Sequence, residues 1–334
     1  MTVRSGSSVM VLTESDIRDI VGLGPDELRV VEAVFPLISD GVGSMPPIQR
    51  IDVPERHGEI DIKSAYLPGF DGIAVKVSAG FFDNPQLGLP SLGGMMLVFD
   101  SETGMPTAAL FDNGYLTNVR TALAGAVAAS HLARRDATTV GVIGAGVQAR
   151  LQVEALRLVR EIDTVRVWAR RVEAAEQLAA DLGADLDVYV EVCDTAGDVA
   201  VDGGIVVTTT PATTPVLDAT AIAPGLHVTA VGSDAEHKQE LDATLLAAAD
   251  VVVCDARQQS ERLGELRAVV ESGALTVAPV ELGDVVAGRA AGRGSDDDVT
   301  VCDLTGTGAQ DTAIASLTVR RARERSVGQV VDTA

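Results

Sequence analysis

From about residue 138 onward, the chain alternates between apolar β-branched runs and segments with helical periodicity. The apolar runs predict strands, and they read TTVGVIGAG, DTVRVWAR, DVYVEV, GIVVTTT, HVTAVGS and ADVVVCD. Helical periodicity is clear in segments such as 147–160 and 172–183. Because this alternation is typical of a parallel sheet covered by helices, the pattern predicts an α/β domain in this part of the chain.

Residues 1–115 show a different pattern. Two helices are predicted first, in TESDIRDIVG and PDELRVVEAVFPLISD. Turns rich in Gly, Pro and Asp then separate five predicted strands: IQRIDVP, EIDIKSAYL, IAVKVSAG, MMLVFDS and TAALFDN. Short strands with such turns predict an α+β domain with an antiparallel or mixed sheet.

Two further helices set the predicted domain boundaries. The segment LTNVRTALAGAVAASHLAR, which is rich in small residues, should connect the domains. The segment TGAQDTAIASLTVRRARERSV should pack back onto the first domain. We therefore predict a discontinuous α+β domain, residues 1–122 and 305–334, and a central α/β domain, residues 123–304.

Charge and composition exclude several functions. The chain carries 26 Lys and Arg against 48 Asp and Glu, for a net charge of −22, whereas nucleic acids and anionic membranes bind basic surfaces. No apolar run approaches the roughly 18–20 residues of a membrane span, and the N-terminus has no pattern of a secretion signal, so we expect a cytoplasmic protein. The three cysteines have no metal-ligand spacing, and no metal site is predicted.

A glycine motif follows the first strand of the α/β domain. The sequence GAGVQA has the pattern G-x-G-x-x-A and opens a predicted helix, and it comprises Gly144, Ala145, Gly146, Val147, Gln148 and Ala149. In dinucleotide sites the first glycine permits a tight turn, the second admits the pyrophosphate, and the helix N-terminus attracts the phosphates. The motif therefore predicts a dinucleotide site, and a glycine-rich turn without a ligand is the alternative.

The end of the second strand of this domain indicates which dinucleotide is bound. NAD sites usually have an acidic residue there, which binds the ribose 2′-hydroxyl. In this chain the strand ends in VWARR, so that Ala169 replaces the acid and Arg170 and Arg171 follow it. Two guanidinium groups suit a 2′-phosphate, and this favours NADP(H), with NAD(H) possible. Arginines that merely face solvent are the alternative.

Several segments together resemble one enzyme family. NVRTALAGAVAASHLA, GAGVQAR, AVGSDAEHKQELD and DLTGTGAQDTA are similar, in order and spacing, to the ornithine cyclodeaminase/mu-crystallin family. SMPPIQRIDVPE, GFFDNPQLGLPSLGGMM, DNGYLT and TTTPATTP are most similar to its ectoine-utilisation branch. The resemblance implies a homodimer, a discontinuous N-terminal domain for substrate binding and dimerisation, and a central Rossmann domain.

The resemblance also implies where the substrate carboxylate binds. Lys76 in IAVKVS and Arg120 at the start of the long helix match the residues that hold the α-carboxylate, and Arg50 matches an assisting arginine. Cations converging on a buried carboxylate are chemically reasonable, because a buried anion must be paired. An interdomain ion pair for Arg120 and an exposed strand position for Arg50 are the alternatives.

Asp234 follows the strand HVTAVG and matches the catalytic aspartate of the family. Its expected role is to bind the substrate nitrogen and pass a proton to it, and Lys76 is the second expected catalytic residue. Lys238 lies four residues after Asp234, so a helix N-cap with an ion pair to Lys238 is the alternative. Supporting roles are expected for Lys238 and Gly306, and Thr209 and Thr210 in the TTTP segment are expected to contact the cofactor.

Lys63 departs from the ornithine-specific pattern. Ornithine-specific members have a glutamate thirteen residues before the residue that matches Lys76, and this chain has Lys63 there. A lysine repels a second ammonium and attracts a second carboxylate or an acyl oxygen. A lysine that points to solvent from its strand is the alternative.

Together these features predict an NAD(P)H-dependent imine reductase or amino-acid dehydrogenase acting on a small imino or amino acid, in ectoine or hydroxyectoine breakdown. One alternative is an ornithine cyclodeaminase that releases ammonia, or an alanine dehydrogenase. The second is a mu-crystallin-like protein that binds NADPH and a small ligand without turnover.

Overall fold

The computed structural model describes residues 8–333, which form two compact units. Of the described residues, the first unit contains those up to Leu37, Gly41–Arg120 and those from Thr307 onward. The second unit contains Ile38–Asp40 and Thr121–Gly306. Residues 1–7 and 334, which the first predicted domain includes, lie outside the described residues. No described helix combines the length and the apolar character that a membrane crossing requires.

The first unit is built on a seven-stranded mixed sheet. Its strands are β1 (Ser8–Thr13), β2 (Gln49–Val53), β3 (Gly58–Ala65), β4 (Gly72–Phe81), β5 (Leu92–Asp100), β6 (Pro106–Phe111) and β15 (Gln329–Asp332). The strand order is β15-β1-β6-β5-β4-β3-β2, and every pair is antiparallel except β1 with β6. This register brings β3 and β4, which carry the two lysines of interest, side by side.

Helices of the first unit are α1 (Glu14–Arg18), α2 (Pro25–Glu32), α3 (Val34–Ser39) and α11 (Gly308–Arg325), and α4 (Tyr115–Leu132) begins in this unit and continues into the second. Helix α11 packs on β3 and β4 and is buried along most of its length. A Cβ on Gly308 would lie 2.4 Å from the carbonyl oxygen of Ser64, so a glycine is needed where this helix begins against the sheet.

The second unit is an eight-stranded parallel sheet. Its strands are β7 (Thr139–Ile143), β8 (Thr164–Trp168), β9 (Tyr189–Val192), β10 (Ile205–Thr208), β11 (His227–Ala230), β12 (Val251–Cys254), β13 (Val280–Glu281) and β14 (Thr300–Asp303), in the order β13-β12-β14-β11-β10-β7-β8-β9. Its remaining helices are α5 (Val147–Leu156), α6 (Val172–Leu186), α7 (Ala243–Ala248), α8 (Arg257–Leu263), α9 (Glu265–Ser272) and α10 (Leu282–Val286).

Successive residues of a strand point to opposite faces, so this sheet has a hydrophobic core on each side. On β10, Val206 belongs to one core, whereas Ile205 and Val207 belong to the other. Burial on both faces explains why these strands read as continuous β-branched runs in the sequence.

The predicted fold class, a dinucleotide-binding α/β domain with a second α+β domain, is confirmed. Several details differ from the sequence prediction, which lacks strands β1, β13 and β14. The second predicted helix is interrupted at Ala33, because Pro36 has no N–H to donate to residue 32 and occupies the first turn of a new helix, α3. The edge strand β15 was not predicted, since all four of its residues are exposed and show no apolar alternation.

Candidate active site

Two buried lysines face each other in the sheet of the first unit. Lys63 on β3 and Lys76 on β4 are direct partners in the antiparallel register. Only 6% of Lys63 and 2% of Lys76 is exposed, although lysine is almost never fully buried without a partner. Side chains directly opposite each other on one face lie within about 5.5 Å at Cβ, so the sheet forces two like charges together.

Asp311 on α11 provides the opposite charge. The Lys76 ammonium lies 3.0 Å from Asp311 Oδ2 and donates to Oδ1 at 3.2 Å. Arg120 on α4 donates from Nε to the same Oδ1 at 3.0 Å, and from Nη1 to Gln310 Oε1 at 3.0 Å. Asp311 is completely buried. We call Lys63, Lys76, Arg120 and Asp311 the cation cluster.

The cluster shifts the proton affinities of its members. Burial lowers the pKa of Lys76 to about 7; Asp311 opposes the shift, and Arg120 and Lys63 add to it. For Asp311, burial favours the neutral acid, but the attraction of the three cations outweighs burial and lowers the pKa. Three basic side chains gathered around one carboxylate in a buried place suit an anionic ligand.

Asp112 helps to place Arg120. It lies just after β6, is 1% exposed, and accepts a hydrogen bond from the N–H of Leu116 at 2.8 Å, in the first turn of α4. Burial raises the pKa of Asp112 to about 6, against the lowering effect of its backbone hydrogen bonds and of Lys76. The carboxylate therefore anchors the start of the helix that carries Arg120.

Arg50 is held differently from the other predicted cations. It lies on β2 opposite Asp61 of β3 and donates to both oxygens of that carboxylate, at 2.8 and 3.0 Å. Glu59 lies 3.6 Å from the same guanidinium group. The structure thus brings Lys63 together with Lys76 and Arg120, and it pairs Arg50 with acids of the neighbouring strand.

The glycine motif forms the turn between β7 and α5 in the second unit. Gly144 has a φ of 122°, and a Cβ there would lie 2.5 Å from Thr209 Oγ1 and 3.0 Å from Thr209 O. Gly146 is the N-cap of α5, and a Cβ there would meet no atom within 4 Å. This open space lies at a helix start, where the first N–H groups have no acceptor within the helix, and such a place fits a phosphate group. Ala145 is half-buried, Val147 is 63% exposed and Gln148 is half-buried at the same turn.

The other predicted cofactor residues lie on the loops after β8 and β10. Arg170 and Arg171 are exposed, and Arg171 is the N-cap of α6. Thr209 donates from its N–H and its hydroxyl to the carbonyl oxygen of Ile143, at 2.9 and 3.2 Å. Thr209 and the glycine turn are therefore joined. Gly306, the last residue of the second unit, has a φ of 76° and donates to Asp255 at 2.8 Å.

Asp234 and Lys238 form an ion pair on the loop after β11. The Lys238 ammonium lies 2.6 Å from Asp234 Oδ1, and the Asp234 side chain is 41% exposed. Within the described chain, no helix begins between β11 and α7, and the segment is a turn in which Lys238 N–H donates to Ala235 O. The alternative reading of Asp234 as a helix N-cap is therefore wrong, although the ion pair that accompanied it is present.

Sequence reasoning missed several buried carboxylates. Asp311 lies in the motif DLTGTGAQDTA, but no role was predicted for it. Its sequence signal is an acid among small and apolar residues, in DTAIAS. The second unit buries four acids at the carboxyl ends of its strands or on the segments beside them: Glu240, Asp255, Glu265 and Asp303. Their sequence signal was weak, because an acid in a loop is ordinarily a solvent-exposed residue.

Comparisons with known proteins agree with this architecture. The model of the ornithine cyclodeaminase/mu-crystallin family matches residues 7–326. An uncharacterised cyclodeaminase of Sinorhizobium fredii is 49% identical over 329 residues, covering 98% of this chain and 99% of the relative. The iminosuccinate reductase of Paracoccus denitrificans is 33% identical over 94% of this chain and 98% of its own length, and its structure with NAD⁺ superposes with a TM-score of 0.88.

A third similar protein is the Δ1-pyrroline-2-carboxylate reductase of Thermococcus litoralis, solved with NADH and L-proline. It has a TM-score of 0.89 and 28% identity, and the match covers 96% of this chain and 99% of that one. With a family match and relatives along nearly its whole length, the chain belongs to the ornithine cyclodeaminase/mu-crystallin family.

Proposed function

We propose that this protein is an NAD(P)H-dependent imine reductase, or amino-acid dehydrogenase in the reverse direction, that acts on a small 2-imino acid. The observation that carries the proposal is the cation cluster, in which buried Lys63, Lys76 and Arg120 gather around Asp311. Basic side chains gathered in a buried place suit an anionic ligand, and the α-carboxylate of an imino acid is such an anion.

Lys76 and Arg120 bind and orient the carboxylate. Asp311 holds both side chains in place, since its Oδ1 accepts from each of them. Gln310 fixes a second nitrogen of the Arg120 guanidinium. The cations are thus positioned before the substrate arrives, which reduces the entropy lost on binding. Arg50, held by Asp61, is an assisting cation at the edge of this group.

The turn of Gly144–Gln148, with Thr209 and Thr210, would hold the dinucleotide, which would supply a hydride to C2 of the imine. Asp234 binds the substrate nitrogen and transfers the proton that completes the amine. Its half-exposed carboxylate and its contact with Lys238 suit a group that must exchange protons with water. Lys238, which is paired with Asp234, and Gly306 have supporting roles.

Three finer features belong to the proposal. Arg170 and Arg171 bind a 2′-phosphate and give a preference for NADP(H) over NAD(H), supported by their exposed place after β8. Lys63 favours substrates with a neutral or acidic side chain, consistent with the ectoine-utilisation resemblance. A homodimer, which the family resemblance implies, and a cytoplasmic location are also part of the proposal.

A cyclodeaminase is the second candidate, favoured by the 49% identity to the uncharacterised cyclodeaminase of Sinorhizobium fredii. The test is a panel assay with NADPH and NADH, in which 2-imino acids with apolar, acidic and basic side chains are supplied and cofactor oxidation is followed. Net oxidation with the apolar or acidic members supports the proposal. Ammonia release from ornithine without net cofactor turnover would favour the cyclodeaminase. Ligand binding without any turnover would favour a binding protein.

A further inference from the structure

Glu240 lies between two loops of the second unit and contacts the main chain of both. β10 and β11 are neighbours in register, with Thr208 opposite Ala230, so the loops that follow them leave the sheet side by side. Glu240 reaches them from a position after the turn that contains Asp234 and Lys238. Its Oε1 accepts from Thr210 N–H at 2.5 Å, and its Oε2 accepts from Gly232 N–H at 2.8 Å.

The environment of Glu240 is that of a fixed structural link. It is completely buried, and Oε2 accepts a third hydrogen bond from the Thr208 hydroxyl at 2.7 Å. Its carbonyl oxygen accepts from Val216 N–H at 2.7 Å, and its own N–H donates to Glu265 at 2.8 Å. A side chain tied at both its main chain and its carboxylate cannot follow one loop without moving the other.

Gly232 provides an independent sign that the two loops meet closely. A Cβ there would lie 2.2 Å from Thr210 O and 2.5 Å from Glu240 Oε2. The next residue, Ser233, donates its hydroxyl to Glu265, so the main chain is tied to buried carboxylates immediately before Asp234. Only glycine allows the loops to approach this closely.

We propose that Glu240 is a positioning residue that joins the loop after β10, with Thr209 and Thr210, to the loop after β11, with Asp234. The proposal rests on the proposed function, because Thr209, Thr210 and Asp234 are assigned there to the cofactor and the substrate nitrogen. Glu240 itself touches neither. Its carboxylate sets the spacing between the main chain at the cofactor loop and the main chain that presents the proton donor.

The chemistry of the two carboxylate oxygens suggests a sharp substitution. Each oxygen faces a backbone N–H, so a carboxylate satisfies both loops. In Glu240→Gln, one of the two positions becomes an NH₂ group, which cannot accept from an N–H. Either orientation of the amide therefore releases one loop while the volume stays the same. Gly232→Ala is the second variant, since it pushes the loops apart and leaves the carboxylate intact.

Hydrogen exchange tests the link without relying on activity. We expect peptides that contain Thr210 or Gly232 to exchange about tenfold faster or more in Glu240→Gln, while β7 is unchanged. Thr300→Val is the matched control, because it removes a buried hydroxyl, bonded to His227 at 2.9 Å, at the amino-terminal ends of β11 and β14 and away from the two loops. Unchanged exchange in both loops of Glu240→Gln would overturn the proposal.

Kinetics then separate positioning from simple stability. We expect both loop variants to lower kcat by about 10²-fold, as misplacement of a catalytic group by about 1 Å does, with little change in KM. Thr300→Val, which also removes a buried polar group, should leave kcat unchanged. Equal kcat in wild type and Glu240→Gln would overturn the positioning role even if exchange accelerates.

Failure of the proposed function is distinguishable from failure of this inference. If the wild type reduces no imino acid, NADH affinity measured by fluorescence replaces kcat. A faster-exchanging Glu240→Gln with weakened NADH binding then still supports the link, and unchanged NADH affinity overturns its positioning role.

Discussion

The cation cluster of the first unit and the buried acids of the second unit are stabilised in different ways. In the cluster, Lys63, Lys76 and Arg120 gather around the Asp311 carboxylate. The buried acids of the second unit accept mainly from backbone N–H groups and hydroxyls. In our proposal, an anionic ligand completes the first arrangement, whereas the fold itself completes the second. This difference separates a binding site from a scaffold, although both are rich in buried ionisable groups.

Proton affinities reflect the same contrast. Asp311 has a lowered pKa because its cations outweigh burial. Burial raises the pKa of Glu240 to about 7 and also raises the pKa values of Glu265 and Asp303. Backbone dipoles stabilise a buried carboxylate less than a full positive charge does. Asp234, on the same unit, is half-exposed and paired with Lys238, and it is the acid we assign to catalysis.

The largest expected effect comes from Asp234. Asp234→Asn keeps the size of the side chain and an oxygen that can accept from Lys238, but it cannot donate or accept the substrate proton. We expect kcat to fall by roughly 10²–10⁴-fold, with folding and cofactor affinity nearly unchanged. Steady-state kinetics beside Glu236→Gln, an exposed acid on the same turn, provide the comparison. Near-normal turnover would assign Asp234 to a structural ion pair alone.

Asp311→Asn should have the next largest effect, on stability. Removing the only carboxylate of the cation cluster leaves buried cations facing one another, and losing one partner of a buried ion pair typically costs about 3–5 kcal/mol. Urea unfolding at fixed pH and salt measures this loss. Added carboxylate ions, such as pyruvate, should restore part of it, because they bind the folded state only.

Asp26→Asn is the control for this prediction. Asp26 belongs to the same unit and pairs with Arg29 and Arg321, but its side chain is 60% exposed. Surface pairs contribute about 0–1 kcal/mol. If the two variants lost equal stability, burial of the cation cluster would not be the source of the effect.

Part of this site and most of the strands of the second unit could be predicted from the sequence. The β-branched runs predicted the strands of the second unit well, because strands buried on both faces leave a continuous apolar pattern. Lys63, Lys76 and Arg120 were predicted as site residues from the family resemblance. Asp311 was not, because its pairing depends on how α11 packs on β4, and 235 residues separate it from Lys76.

Loop conformation was the weakest part of the sequence prediction. The spacing of Asp234 and Lys238 is that of one helical turn, and helix capping was a reasonable alternative. Instead, the loop is fixed by hydrogen bonds to the buried side chains of Glu240 and Glu265, which lie farther along the chain. Such hydrogen bonds leave no periodic pattern in the sequence, since an acid in a polar segment resembles an ordinary surface residue.

Glu240 gives a prediction for pH dependence. Its pKa in the folded state is raised from 4.5 to about 7, chiefly by burial. A raised pKa means that the folded state binds the proton more tightly, so this contribution to stability is present below pH 4.5 and is lost as pH rises through about 7. As pH rises from 4.5 to about 7, the free energy of unfolding of the wild type should therefore fall by roughly 3 kcal/mol relative to that of Glu240→Gln. A difference that stays constant with pH would contradict this.

Lys63 should have a smaller effect, on specificity. Lys63→Glu places an acid opposite Lys76, which should disfavour imino acids with acidic side chains and favour basic ones. Each change should be about 1–3 kcal/mol, the scale of a charge-assisted hydrogen bond. The measurement is kcat/KM for an acidic and a basic imino acid at one salt concentration. Lys63→Met, which removes the charge without reversing it, should give an intermediate ratio, and equal changes for both substrates would mean that Lys63 does not select the side chain.

The smallest expected effect is that of Arg170 on the choice between NADPH and NADH. Arg170 is an exposed cation, in contrast to the buried cations around Asp311. Arg170 lies at the surface after β8, so its attraction for a 2′-phosphate is weakened by water and salt, unlike that of the buried cations around Asp311. Arg170→Ala should lower the ratio of NADPH to NADH affinity by about tenfold at low salt, which is about 1.4 kcal/mol. Fluorescence titration at two salt concentrations measures the ratio, and it should fall in the wild type as salt rises. Arg157→Ala, which removes an exposed arginine at the other end of α5, should leave the ratio unchanged. If NADH binds the wild type as tightly as NADPH, these arginines are ordinary surface residues, and the selective cations of this protein are the buried ones alone.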